Sequence, residues 1–231
     1  MFDRFKHRSY DFERLDTGDY TPVEYALWHR EMWVIHRIFG EFRALRRSLF
    51  KTIQESSKTS VSILDVGAGS GELLIEIGKW IKNRKAILVG AELDGEATVE
   101  MHRLEIKTVQ CDAMHLPFAN DSFDYVFCTL FLHHLDDKSA VELLREMGRV
   151  ASQRIFVIDL NRHPTAYYLY KFFSRLFFQK FTRHDGALSI LRSFNPKEML
   201  ELAENAGLID VKVERSRVNR LILSGRDRKY E

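Results

Sequence analysis

Apolar positions along this chain switch repeatedly between strand-like runs and helical spacing. Val61–Val66 is rich in aliphatic residues, meets three glycines, and gives way to helical periodicity from Gly71 to about Lys82, so the pattern predicts a buried strand, a turn and a helix. Ala86–Ala91, Ile106–Gln110, Tyr125–Thr129 and Ile155–Ile158 read as further strands. Lys138–Val150 reads as a helix with Val141, Leu144, Met147 and Val150 along one side. Near the end, Asn195-Pro196 supplies an N-cap with proline at the first helical position, Gly207 stops that helix, and Ile209–Glu214 and Val218–Leu223 close the pattern as strands. Ahead of all this, Thr21-Pro22 opens a helix in which Tyr25, Trp28, Met32, Ile35 and Phe39 recur every three or four residues up to Gly40. A second helix runs from Glu41 to about Glu55 with Phe42, Leu45, Leu49 and Ile53 on one face. Strands alternating with helical crossovers predict an α/β fold, a doubly wound and mostly parallel sheet of about seven strands whose last strand is antiparallel. Residues 1–58 form a helical cap in front of a domain spanning 59–231, with a helical insert at 162–194.

Composition narrows the class. With 231 residues and 45% hydrophobic content, the chain has enough apolar material for one sizeable core and too little length for two large domains. A formal net charge of +2 gives no global argument for nucleic acid. Cys111 and Cys128 make neither a disulfide framework nor a CxxC metal motif, so a reducing cytoplasm and no metal are expected. No apolar run approaches the ~18 residues of a membrane span, and Arg4, Lys6 and Arg8 mixed with Asp3 and Asp11 do not make a signal segment.

The candidate chemistry begins in the turn. Glycines at 67, 69 and 71 remove the β-carbons that would hold a ligand off the backbone, and the helix behind them presents unpaired N–H groups. The spacing is Gly-x-Gly-x-Gly where a dinucleotide fingerprint has Gly-x-Gly-x-x-Gly, and Asp65 ends the strand just before it. That carboxylate opposes a pyrophosphate and suits a cationic or amine-bearing ligand.

Leu64-Asp65-Val66-Gly67-Ala68-Gly69-Ser70-Gly71 resembles the first motif of the class I S-adenosylmethionine (SAM)-dependent methyltransferases, and three later segments match in the family's order. Val89–Asp94 reads as a second strand ending in an acid. Gln110–Phe118 looks like the third-strand segment, and Asp121–Leu135 like the fourth strand and its exit loop. The resemblance implies a Rossmann-like fold and SAM as cofactor. It makes Glu92 the acceptor of ribose hydroxyl hydrogen bonds, Asp112 the partner of the adenine amino group, and Met114 the apolar residue on the ring. Asp65, Gly67, Ala68, Gly69, Gly71, Leu93, Ala113 and Thr129 complete the implied cofactor contacts.

Because the sulfonium already activates the methyl group, the protein has to place a nucleophile and exclude water. His133, after the fourth strand, is a candidate base, with Asp159 at the end of the fifth strand to orient it. This resembles the base pair of some sugar and small-molecule O-methyltransferases of the class. His184-Asp185 is a second candidate pair. The same residues also suit plainer roles: His133 or His134 as a loop cap, Asp159 as an acceptor of backbone amides, His184 as a surface turn residue. Residues 162–183 hold eight aromatics, five basic residues and no acid. They suit an acceptor pocket, to which Trp28, His29 and Met32 would add; a homodimer or core contact; or a membrane-surface contact.

After the fourth strand this chain has Thr129-Leu130-Phe131-Leu132 in place of the Asn/Asp-Pro-Pro-Tyr/Phe motif of base and glutamine amino-methyltransferases, which argues against those acceptors. The expected function is methylation of a hydroxyl on a small apolar or aromatic molecule. C-methylation of a quinone-type precursor is the alternative, and a SAM-binding module without turnover is the alternative of another class. A nicotinamide oxidoreductase is disfavoured by Asp65 and the glycine spacing.

Overall fold

The computed structural model describes residues 3–38, 40–216 and 218–228, without the side chains of 29, 33 and 36–38. The expectations placed on Phe39 and on the His29 side chain therefore lie outside the described residues. A seven-stranded sheet organises the chain: β1 (Ser60–Val66), β2 (Lys85–Glu92), β3 (Lys107–Gln110), β4 (Phe123–Thr129), β5 (Ala151–Leu160), β6 (Leu208–Arg215) and β7 (Arg220–Asp227), in the order 3-2-1-4-5-7-6. β1 to β5 pair in parallel, and β7 runs antiparallel to both β5 and β6, the doubly wound arrangement expected from the sequence. Strand order reverses between β1 and β4, so their carboxyl ends open the crevice where folds of this kind bind ligands.

Alternation along the strands splits the core in two. On one face Leu64, Val66, Val126 and Cys128 pack with Leu143, Leu144 and Met147 of α7 (Asp137–Val150) and Met199, Leu202 and Ala203 of α10 (Pro196–Asn205). On the other, Ile63, Tyr125, Phe127 and Phe156 pack with Leu73, Leu74 and Ile77 of α5 (Glu72–Trp80) and with Leu45, Leu49 and Ile53. Those last three come from the second N-terminal helix, which is α3 (Glu41–Leu45), a π turn (Arg46–Phe50) and α4 (Lys51–Glu55). A regular helix was expected here. The wider turn absorbs the drift of a four-residue repeat on a 3.6-residue helix, keeping Ala44, Leu45, Leu49 and Ile53 all buried against the sheet. Residues 41–55 thus share a core with β1.

The remaining helices are α1 (Arg14–Thr17), α2 (Pro22–Ile38), α6 (Gly95–Arg103), α8 (Pro164–Phe177) and α9 (Lys180–Arg192). Between α2 and α3, Gly40 has φ +87°, and a β-carbon there would come within 2.8 Å of Val218 Cγ2, which is why glycine ends the helix. Asn195 caps α10 through the amides of Lys197 and Glu198, with Glu198 returning a bond to the Asn195 N–H. β7 starts at Arg220, later than the expected Val218, because Asn219 adopts φ +55° and its side-chain amide donates to the Asn161 carbonyl at 3.0 Å.

Candidate active site

The loop between β1 and α5 lies directly on β2. The amides of Gly67 and Ala68 donate to the Ala91 carbonyl at 2.8 and 3.2 Å. Gly67, Gly69 and Gly71 all have positive φ, and a β-carbon on Gly71 would stand 2.4 Å from Ile106 Cδ1, whereas one on Gly69 would meet nothing within 4 Å. Gly71 is therefore fixed by packing, and Gly69 faces open space where a ligand can approach the backbone. Asp65 is 1% exposed and neither carboxylate oxygen has a hydrogen-bond partner. Burial, together with the nearby Glu92 and Glu72 carboxylates, pushes its pKa well above the usual range. An unpartnered buried acid beside an open glycine loop is what a ligand ammonium would satisfy.

Glu92, at the end of β2, accepts from the amides of Gly69 at 2.8 Å, Leu93 at 2.8 Å and Asp94 at 3.1 Å, which fixes its carboxylate against the glycine loop. The adjacent Leu93 side chain is 67% exposed, an apolar surface suited to cover by a flat ring. Asp112 accepts from the Met114 amide at 2.9 Å and remains largely exposed. Ala113 and Met114 are half-buried against the core, and Thr129 is half-buried at the end of β4. All the expected cofactor residues lie on the glycine loop, on the tips of β1, β2 and β4, or just after β3, at the sheet's carboxyl edge.

Beyond β4, Leu130 has φ +48° and a short 3-10 turn (Leu132–His134) follows. The turn brings His133 onto Asp159: the ring Nδ1 is 2.7 Å from Asp159 Oδ1, and the His133 backbone amide donates to Oδ2 at 3.0 Å. Both residues are buried. Burial alone would raise Asp159, but the His133 ring and the amides of Leu160 and His133 outweigh it and hold the carboxyl below the usual range. His133 Nε2 faces Glu13 Oε1 across 3.9 Å, and burial pushes the Glu13 carboxyl up to about 7 against the opposing pull of His134, Ser189 and Arg192. Glu13, His133 and Asp159 thus form a line of buried polar groups in which the Glu13 carboxyl, raised to about 7, is the one brought toward neutral pH.

Glu13 was not singled out in the sequence, nor were Asp16, Ser189 and Arg192 around it. Residues 3–19 form a strap over the β4 exit turn. Arg8 donates to Asp137 Oδ1 at 2.5 Å and to the Leu135 carbonyl, Asp16 accepts from Arg192 and meets His134 Nδ1 at 2.9 Å, and Ser189 donates to Glu13. These partners are separated by more than a hundred residues and follow no periodicity, so nothing local in the sequence marks them. Glu13, His133 and His134 also bring one potential metal-ligand atom each within 4.8 Å of one another, although the Arg192 guanidinium, 3.8 Å from Glu13, competes for the same carboxylate.

The other candidate base stands apart from this pair. His184 is 60% exposed and bonds Asp185, whose carboxylate caps α1 by accepting from the amides of Arg14 and Leu15. Among the described residues no bond joins His184 to His133 or Asp159. The aromatic insert divides: Tyr167 and Phe181 are buried, while Phe172, Phe173 and Phe177 stand exposed on α8. Phe181 closes a ring cluster with α2, stacking on Tyr20 at 5.5 Å and Trp28 at 6.3 Å, while Tyr25 stacks on Tyr20 at 5.0 Å. Burial, with the nearby Asp94, Tyr20, Glu96 and Glu92, raises the Tyr25 pKa. A separate cleft of about 740 Å³ lies between the strap, α7 and α10 and contains none of the cofactor residues.

Comparison with known proteins gives the site its class. A methyltransferase-domain family model matches residues 63–154. The ubiquinone/menaquinone biosynthesis C-methyltransferase UbiE of Xanthomonas oryzae pv. oryzae is 33% identical over 118 residues, 48% of this chain and 45% of that protein. The demethylmenaquinone methyltransferase of Staphylococcus aureus is 30% identical over 195 residues, 76% of this chain and 78% of its own. The chain's matches to the UbiE relatives span about half of their length. In fold, the chain resembles the plantazolicin methyltransferase BpumL solved in complex with SAH, with a TM-score of 0.71 at 17% identity over 90% of this chain and 91% of that one. The chain belongs to the class I SAM-dependent methyltransferases, and SAM is its cofactor.

The residues fit that cofactor. In the arrangement the family resemblance implies, Asp65 would offer a carboxylate to the amino-acid ammonium, Glu92 one to the ribose hydroxyls, and Leu93 and Met114 apolar surface to the base. Asp65→Asn is therefore expected to weaken S-adenosylhomocysteine binding by about tenfold or more while leaving the free protein as stable as the wild type or more so. The free wild type has a carboxyl raised in the fold, so its stability falls as pH rises from about 4 through the folded-state pKa. The variant should lack that decline in thermal melts run across pH without ligand.

Proposed function

We propose that the chain transfers the SAM methyl group to a flat, hydroxylated aromatic acceptor of the quinol type, at a ring carbon. The carrying observation is that α9 links an apolar ring cluster, Tyr20, Tyr25, Trp28 and Phe181, to an acid-oriented imidazole, since it carries both Phe181 and Ser189, which donates to the Glu13 that faces His133. The similarity to a ubiquinone/menaquinone biosynthesis C-methyltransferase supports carbon as the methylated atom. SAM supplies an electrophilic methyl on a sulfonium, which leaves the protein to make the acceptor nucleophilic. Loss of a hydroxyl proton does this, because the phenolate charge spreads to the ortho carbon. In this reading His133, held at Nδ1 by Asp159, takes that proton at Nε2, with Glu13 next in line. Since His133 is 3% exposed beneath the strap, proton transfer requires either displacement of residues 3–19 or relay through Glu13.

O-methylation is the second reading, favoured by the same His133–Asp159 pair, since a deprotonated hydroxyl can itself be the nucleophile. Product analysis with labelled SAM and two quinols, one with a free ring position beside the hydroxyl and one with every ring position substituted, separates the two. Label on carbon from the first quinol alone supports the C-methyl reading. A methyl ether from both overturns it in favour of oxygen, and no transfer to either removes quinols as the acceptor class.

A further inference from the structure

We propose that the exposed face of α8 docks this protein on an anionic lipid surface, irrespective of which acceptor atom is methylated. The six large apolar side chains at 168, 169, 172, 173, 176 and 177 are 39% to 72% exposed. They fall as adjacent pairs four residues apart, which draws one continuous stripe along the helix. The helix is anchored from its other side. Tyr167 and Ser174 are buried, the Tyr167 ring packs edge-on to Phe5, and the Tyr170 hydroxyl donates to the Thr182 carbonyl of α9. α8 therefore holds its place through one face while presenting the other to solvent, an apolar patch of a kind that marks an interaction surface.

The charge pattern selects the partner. Lys171, Arg175 and Lys180 are exposed on and beside the helix, and the stretch 162–183 contains no acid. The short N-terminal turn packed against Tyr167 adds Arg4, whose guanidinium donates to the Tyr167 hydroxyl, and an exposed Asp3–Lys6 pair of no net charge. A second copy of this chain docked face to face across a twofold axis would bring these basic residues against themselves. Anionic headgroups complement them, and the aromatic rings suit the boundary between headgroup and acyl chain. At 14 residues α8 is too short to cross a bilayer, and no helix among the described residues is long and apolar enough to do so, so the helix would lie in the surface plane. It follows β5 directly, so its first turn starts four residues after the strand end that carries Asp159.

The test is co-sedimentation of the full chain with vesicles of equimolar phosphatidylglycerol and phosphatidylcholine, and with phosphatidylcholine alone. Partition onto the anionic vesicles is expected to exceed that onto neutral ones by about tenfold or more, and to fall as salt is raised. Phe172→Ser with Phe177→Ser should reduce it by about tenfold or more, and Lys171→Glu with Arg175→Glu should abolish the lipid preference. Neither pair touches the cofactor site, so S-adenosylhomocysteine affinity should stay at the wild-type value and reports that the variants are folded. Wild-type protein that stays in solution with both vesicles overturns the proposal, as do variants that bind as the wild type does. A homodimer in sedimentation velocity that the Phe172→Ser, Phe177→Ser pair dissociates, without vesicle binding, would assign the face to a second copy instead.

Discussion

Glu92→Ala is expected to lower S-adenosylhomocysteine affinity by about 100-fold, near 2.7 kcal/mol, in a calorimetric titration. The size of the effect follows from two roles of one carboxylate. It accepts from the amides of Gly69, Leu93 and Asp94 and so holds the glycine loop in the conformation a ligand meets. The family's ribose hydroxyls would draw on the same oxygens. Glu92→Gln keeps one acceptor oxygen and loses the charge, so an intermediate loss of about tenfold is expected. An alanine variant that binds within threefold of the wild type would remove Glu92 from the cofactor site.

At Asp159 the expected result is a split between two variants. Asp159→Ala leaves the His133 backbone amide and ring nitrogen without their buried acceptor, at a cost of about 3 kcal/mol to stability, read as a lowered denaturant midpoint. Asp159→Asn retains an oxygen for the backbone amide, but its NH2 cannot accept from a protonated Nδ1, so the ring turns or changes tautomer. Much of the stability should survive and the maximal methyl-transfer rate should fall by at least about 100-fold, in the range that positioned proton transfer contributes. An Asn variant with normal turnover would reduce the pair to a structural clasp. The pH dependence carries the opposite sign to that of Asp65. Asp159 is depressed in the fold, so its contribution is fully present above about pH 4 and is lost as pH falls through the lower folded-state value.

The glycine loop and the strand tips around it were legible because their physics is local. A glycine that must take positive φ, an acid at a strand tip and an apolar residue after it all lie within a few positions of one another, as at Gly67–Gly71 and Glu92–Leu93. The sheet was legible for the same reason, through strand runs and helical spacing. The π turn at 46–50 was not, since Leu45, Leu49 and Ile53 carry the same signature in a regular helix. His133 and Asp159 were paired by resemblance, whereas Glu13 faces His133, and Asp16 meets His134 and Arg192, through contacts over more than a hundred residues. Aromatic content alone also did not say which rings of the insert turn inward. Phe181 and Phe177 sit four residues apart, one fully buried and the other 72% exposed, because α8 ends and α9 begins between them.

Asp65 has a consequence for anyone who would improve this protein. A carboxyl buried with no partner weakens the empty fold, and that weakness is what a cofactor ammonium placed against it would repair. A campaign that selects variants for survival on heating, without ligand present, should therefore enrich substitutions at Asp65 early and return proteins that are sturdier and inert. Running the same selection with S-adenosylhomocysteine in the medium should protect the residue, because bound ligand adds its binding energy to the folded state alone.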